Sequence, residues 1–299
     1  MLRRPREKLF ARKELEELRS RLARYEVGWP PGHFYSPLPD LDEVRRRRGE
    51  LFAAPPARLP GIELDEAGQL ALVHALGAYH VEAPWADEPR PPLRFFYDNP
   101  NFRHGEAVVL YGMIRHLRPR RIVEIGSGHS SCVILDTNER FFAGSIDCTF
   151  VEPYPELLRS LVSEDDLRAR LVEASLQAID DDLFGSLKAN DILLVDSTHV
   201  AKVGSDVNRI VFDVLPLLAS GVHVHFHDIQ YPFEYPQAWI LEGRAWNEAY
   251  LLRAFLLYNE TFEIALFSSF LGQLHPEALA AALPLAAPNP GSSLWLRRR

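Results

Sequence analysis

The chain has 299 residues, 47% hydrophobic and 25% charged, enough to bury a sizeable core and too apolar for wholesale disorder. Its net charge of −8 argues against a general nucleic-acid binder, which needs a basic surface to neutralise phosphates. No apolar run approaches the ~18 residues needed to span a bilayer, and no apolar core follows the basic N-terminus as a signal peptide would require.

Leu15, Leu18, Leu22 and Tyr25 recur every three to four residues among charges, which predicts an amphipathic helix over 7–26. The run Arg45-Arg46-Arg47-Arg48 has the composition of an RNA or anionic-lipid patch. Asp42, Glu43 and Glu50 flank it, so a solvated helix face is the better reading. Pro30-Pro31, Pro55-Pro56 and Pro89–Pro92 break 27–95 into short pieces. Residues 1–96 therefore read as a helical and irregular extension, and 97–299 as the main domain.

A helix pattern returns in Glu106–Leu117, with Val109, Met113 and Leu117 on one face. From Arg121 onward, short apolar runs alternate with helical segments. The expected strands are Arg121–Ile125, Cys148–Val151, Arg170–Glu173, Ile192–Val195, Val222–Phe226, Phe262–Phe267 and Ser293–Leu296. Helices are expected near Ser130–Arg140, Pro155–Ser163, Asp206–Leu218 and Trp246–Tyr258. Strand and helix in alternation imply βαβ crossovers and a parallel sheet covered on both faces. The Pro- and Ala-rich stretch 268–292 shows no good helix, which makes the last two strands an antiparallel pair. The two cysteines, Cys132 and Cys148, each fall inside regular structure, so no disulfide framework is expected and a reducing cytoplasm is the default setting.

In an open α/β sheet, ligands bind at the carboxyl ends of the strands. The residues there are Gly126–Ser130, Glu152-Pro153, Asp196–His199 and His227-Asp228. Val123-Glu124-Ile125-Gly126-Ser127-Gly128 follows the first strand and opens a helix, and Gly126 and Gly128 let the backbone turn and approach a ligand closely. Glu152, at the end of the second strand, can accept hydrogen bonds from ribose hydroxyls. A dinucleotide fingerprint would place a third glycine at 131, where this chain has Ser131. Glu124, inside the first strand, suits a cationic ligand better than a pyrophosphate.

With these motifs, and with Val151-Glu152-Pro153-Tyr154 and Leu193-Leu194-Val195-Asp196-Ser197-Thr198-His199, the sequence resembles the class I S-adenosylmethionine (SAM) dependent methyltransferases over roughly residues 97–299. The resemblance implies a Rossmann-like seven-stranded sheet, mostly parallel with an antiparallel last strand and helices on both faces. It implies SAM as cofactor, with Gly126, Ser127 and Gly128 along the methionine part, Glu124 and Asp196 near it, and Glu152 on the ribose.

Methyl transfer requires alignment of donor and acceptor and removal of a proton from the nucleophile. His199, His227 and Asp228 are the candidates for that work, with Tyr231, Phe233, Glu234 and Tyr235 as an aromatic loop beside them. His223, His225 and His227 share one face of a strand but spread over ~13 Å, too far for one ion. His223 and His225 therefore read as scaffold. Some O-methyltransferases of the family, including catechol and macrolide-sugar enzymes, hold Mg²⁺ at the ends of these two strands. Asp196 and Asp228 match those positions, and His227 departs from them. Two readings stay open: a divalent ion (Mg, Mn, Fe or Zn) on Asp196, His227 and Asp228, or a metal-free site with His227 or His199 as general base. Asp206 reads as a helix N-cap. The acceptor reads as a small molecule with a sugar, phenol or natural-product hydroxyl, without nucleic acid or membrane as partner, and self-association into a homo-oligomer stays open. The rivals are a cephalosporin-hydroxylase-like enzyme and a non-catalytic SAM-binding subunit.

Overall fold

A computed structural model describes residue 13 and residues 15–20, 29–168 and 170–299 of the chain. Residues 13 and 15–20 are helical; the remainder of the helix expected over 7–26, with Leu22 and Tyr25, lies outside the described residues. The chain divides into two units, one formed by residues 1–53 and 236–245, the other by 54–235 and 246–299.

In the smaller unit, Asp40 caps the helix Leu41–Arg46 by accepting from the Asp42 and Glu43 amides. Within the arginine run, Arg45 pairs with Asp42, and Arg47 with Glu43 and Glu50. These are exposed pairs three or four residues apart, the pattern of a solvated helix face.

The larger unit holds a seven-stranded sheet in the order β3-β2-β1-β4-β5-β7-β6. The strands are β1 Arg121–Ile125, β2 Asp147–Val151, β3 Leu171–Val172, β4 Ile192–Val195, β5 His223–Phe226, β6 Phe262–Phe267 and β7 Leu294–Arg298. The first five pair in parallel, and β7 runs antiparallel between β5 and β6. The alternation implied the parallel strands, and the resemblance implied this seven-stranded Rossmann-like sheet with its antiparallel last strand. β4 and β5 are buried along their whole length, as strands covered on both faces must be, so they read as near-continuous runs with little alternation.

The helices that matter for the site are α1 Glu66–His80, α2 His104–Leu117, α3 His129–Phe142, α4 Glu248–Leu256, α5 Ser268–Leu274 and α6 Pro276–Ala282. The last two correct the expectation that 268–292 lacks a helix: Pro276 takes the first helical turn, where its missing amide costs nothing. Residues 54–96, read above as part of an extension, pack in the larger unit. α1 buries Gln69, Val73 and Leu76 on one face and lies against α2, α6 and β6. Gln69 stitches it to the sheet: its Oε1 accepts from Phe267 N at 2.7 Å, and its Nε2 donates to Leu64 O at 2.5 Å. α2 packs between α1 and α3 and is buried from Gly105 to Ile114. Among the described residues, no helix is long and apolar enough to cross a membrane.

Candidate active site

The strand order reverses beside β1, and the carboxyl ends of β1, β2 and β4 border a cleft of about 400 Å³. Gly126, Glu152, Tyr154, Gln177, Asp196 and Lys202 are among its lining residues. Gly126 has φ +78, and a Cβ there would stand 1.8 Å from the Asp196 carbonyl oxygen. Only glycine lets the β1 loop turn against the end of β4. Gly128 is different: its φ of −177 is extended backbone, and a Cβ would meet only the end of Leu157 at 3.2 Å. Gly126→Ala is therefore expected to cost roughly 2–4 kcal/mol in a urea unfolding titration, with Gly128→Ala costing under about 1. Equal losses in the two variants would remove the distinction.

Glu124 is fully buried, and its carboxylate accepts from Ser130 Oγ at 2.6 Å and from Ser131 Oγ. Ser131 Oγ in turn accepts from Gly128 N at 3.1 Å. Burial pushes Glu124 up to about 8 against the pull of those hydroxyls. Its side chain thus braces the loop from beneath. Ser131, where a dinucleotide fingerprint would need glycine, is part of that brace. Glu152 accepts from Ser127 N at 3.1 Å and Tyr154 N at 2.7 Å, one bond on each carboxylate oxygen. Each oxygen keeps a further lone pair for a ligand hydroxyl.

A second group gathers where β4 and β5 end. His199 Nδ1 lies 2.8 Å from Glu248 Oε2, while Nε2 faces Asp196 Oδ1 at 3.5 Å and Asp228 Oδ2 at 4.0 Å. His227 Nε2 lies 3.5 Å from Asp228 Oδ1 and 3.9 Å from Glu106 Oε1. His199 and Asp228 both adopt left-handed backbone, φ +59 and +56, which is uncommon outside glycine and clusters at functional sites. Burial pulls His199 down, yet the facing carboxylates of Asp196 and Glu248 outweigh it and hold it at about 10. A ring that keeps its proton at neutral pH is a poor general base, so the arrangement disfavours that role for His199. Burial likewise lowers His227, but Asp196, Glu106 and Asp228 together raise it. Glu106 and Glu248 are both pushed up by burial.

Donor atoms of Glu106, His227 and Asp228 all lie within 4.8 Å of one another, a spacing that could hold a metal ion. The set expected from sequence was Asp196, His227 and Asp228. The structure keeps the last two and brings Glu106 to them from α2, while Asp196 faces the cleft and His199. Glu106 Oε2 is occupied by the Arg103 amide at 3.0 Å, which leaves Oε1 toward His227. The approach to Glu106 is fixed by Asn99, whose side chain makes four hydrogen bonds to the backbone of Phe96, Asn101 and Phe102. Phe102 then stands 5.4 Å from the His227 ring.

Glu106 and Glu248 escaped the sequence reading. Each lies in the first turn of a helix, where an acid is ordinary, and only burial marks them out. His225 bonds Ser293 Oγ at 3.0 Å, and burial holds it at about 3 and His223 at about 4, in keeping with neutral scaffold rings. Asp206 is not the cap: Ser205 accepts from Asn208 N, while Asp206 binds the amide and hydroxyl of Thr198 at 3.0 and 2.6 Å.

Residues 123–229 match a family model described as a methyltransferase domain. An uncharacterised protein of Archaeoglobus fulgidus is 36% identical over 174 residues, which cover 56% of this chain and 78% of that protein. Among solved structures, the SAH-bound methyltransferase PaMTH1 of Podospora anserina shares 13% identity at a TM-score of 0.42, covering 65% of this chain and 78% of that one. The apo form of CmcI shares 20% at a TM-score of 0.40, covering 66% and 72%.

Proposed function

The chain belongs to the class I SAM-dependent methyltransferase family, and from that premise we propose that it methylates a hydroxyl of a small-molecule acceptor with the help of a divalent ion held by Glu106, His227 and Asp228. The observation that carries this reading is the convergence of those three side chains at the end of β5, beside the cleft bordered by Gly126, Glu152 and Asp196.

The residues fit a cation on charge and on distance. Four carboxylates, those of Glu106, Asp196, Asp228 and Glu248, surround two imidazoles at a largely buried strand end. Such an excess of negative charge in low dielectric calls for protons or a bound cation. Cis ligands about 2.1 Å from one ion stand ~3 Å apart; the 3.5 and 3.9 Å to His227 need contract by less than an ångström, and the Glu106–Asp228 side, within 4.8 Å, by under about 2 Å. One imidazole with two carboxylates suits Mn, Fe or Zn better than Mg. When bound, the ion would supply Lewis-acid polarisation that lowers the acceptor hydroxyl's pKa. In this reading Glu152 holds the ribose, the Gly126–Gly128 loop holds the methionine part, Glu124 braces that loop, and Phe102 walls the acceptor side.

A second reading has one specific observation in its favour. His227 Nδ1 is buried with no hydrogen-bond partner among the described residues, whereas a ligating imidazole usually donates its other N–H to an acceptor. In that case His227 takes the acceptor's proton directly and no ion is needed.

We infer a methyltransferase domain proper over 97–299, with residues 54–96 as a layer built onto it. The two buried free thiols fit a reducing cytoplasm, and the charge of −8 favours a small acceptor over nucleic acid. Calorimetry with SAM, S-adenosylhomocysteine (SAH) and NAD tests the cofactor, and an extract screen with labelled SAM, read as a +14 Da product, tests the acceptor. NAD binding without SAM binding would overturn the assignment. Glu152→Ala is expected to weaken SAM by about 1.5–3 kcal/mol, the usual worth of hydrogen bonds to a charged group. An unchanged affinity in the folded variant removes Glu152 from the ribose.

A further inference from the structure

His199 is held from two directions by a residue 49 positions away. Beyond the 2.8 Å bond between Glu248 Oε2 and Nδ1, the backbone amides of Asn247 and Glu248 donate to the His199 carbonyl at 3.1 and 3.2 Å. The Asn247 side chain locks the next turn of the same loop, accepting from Ala201 N at 2.6 Å and donating to Ala201 O at 3.2 Å. The Trp246 ring lies against the imidazole, centroids 4.4 Å apart.

This arrangement is costly. Glu248 is fully buried, its Oε1 has no hydrogen-bond partner among the described residues, and His199 sits in left-handed backbone. A buried carboxylate with an unpaired oxygen needs a reason other than packing.

The reason lies in which atoms the ring can present. With a carboxyl group on Nδ1, either the ring is an imidazolium that donates from both nitrogens, or it is neutral, takes a proton-sharing bond from a protonated Glu248, and keeps its proton on Nε2. In both cases Nε2 is a donor toward Asp196 Oδ1 and Asp228 Oδ2. The third arrangement would turn a lone pair on two carboxylates and is disfavoured by repulsion.

We propose that Glu248 is a positioning residue that fixes the His199 ring so that its Nε2–H points at Asp196 on the cofactor side, with Asp228 on the acceptor side 4.0 Å away. The assignment of those two sides rests on the methyltransferase reading. Without that donor, no hydrogen stands between the two carboxylates at the border between the cofactor cleft and the reacting centre. Asp196, which lines that cleft, then loses its orientation.

The test combines nuclear magnetic resonance of the His199 ring with calorimetry using SAH. In the wild type, a slowly exchanging Nε2–H signal is expected. Glu248→Leu, which frees the ring, should lose that signal and weaken SAH about tenfold, the scale of one charge-assisted hydrogen bond. Glu248→Gln can still hold Nδ1 and should restore the signal and most of the affinity. In a His199→Gln background, Glu248→Leu should cause no further loss. A plain packing role predicts otherwise: equal losses for Leu and Gln, or an additive double variant, overturns the proposal, as does a wild-type ring without a proton on Nε2. Should Glu248→Leu not fold, Glu248→Asp, which withdraws the oxygen from Nδ1, carries the same expectation. If the wild type binds no SAH, the methyltransferase reading fails, while the ring signals of the free protein still decide the role of Glu248.

Discussion

Asp228→Ala is expected to lose methyl transfer by roughly 10²–10³-fold, the rate equivalent of the several kcal/mol that Lewis-acid polarisation supplies. SAH affinity should stay within about threefold of wild type, because Asp228 lies outside the residues proposed for the ribose and methionine parts. Glu106→Gln should behave the same way, since Glu106 Oε1 faces the same His227 Nε2 that Asp228 Oδ1 does. Asp196→Ala should instead weaken SAH, because Asp196 lines the cleft and stands outside the three-donor set. Chelator should silence the wild type, and Mn²⁺ or another divalent ion should restore it, with turnover followed as SAH release on whichever acceptor the extract screen yields. Full activity in chelator would eliminate the ion and leave His227 as base. Full activity in His227→Ala would eliminate both readings.

The half of the site proposed for the cofactor could be read from the sequence because its residues stand in short motifs at strand ends. Gly126 stands in a Gly-x-Gly turn right after β1 and Glu152 right after β2, so both are visible in the pattern, although the contact that requires glycine at 126 comes from Asp196 at the end of β4. The sheet was legible too, since central parallel strands are short apolar runs. The other half is assembled across the chain. Glu106 and Glu248 come from helices, and no motif distinguishes a first-turn acid that faces water from one that faces a buried imidazole. Asp196 and His227 share the same kind of position at the ends of neighbouring strands, which made a shared ion plausible from sequence. The geometry directs Asp196 to His199 and gives His227 to Glu106. The proline clusters had a similar effect on 27–95. They mark real breaks, but between them α1 carries a buried stripe of Gln69, Val73 and Leu76, and a buried glutamine does not register in an apolar periodicity.

Asp136→Ala tests how firmly the stretch from Trp85 to Tyr97 belongs to the domain. Asp136 lies on α3 with its side chain 1% exposed. It accepts from Trp85 Nε1 at 2.8 Å, from the Arg94 and Phe95 amides at 3.0 Å each, and from Arg94 Nη1 at 3.0 Å. Removing it strands a buried indole N–H and two backbone amides, and it takes from Arg94 the most buried of its three carboxylate partners. Breaking a buried ion pair on one side costs about 3–5 kcal/mol, which for a domain of this size is a Tm lower by roughly 10 °C. Glu139→Ala removes another Arg94 partner, but one that is 54% exposed, and should cost under about 1 kcal/mol. The effect should also reach the active site. Residues 94–97 lead directly into the Asn99 knot, which sets Phe102 against His227 and aims Arg103 N at Glu106. Asp136→Ala should therefore lower turnover at a temperature where the variant is still folded, and Glu139→Ala should not. A stability loss under about 1 kcal/mol, too small for a buried ion pair, would mean that this layer is held by its aromatic packing alone and that the Glu106 side of the site does not depend on it.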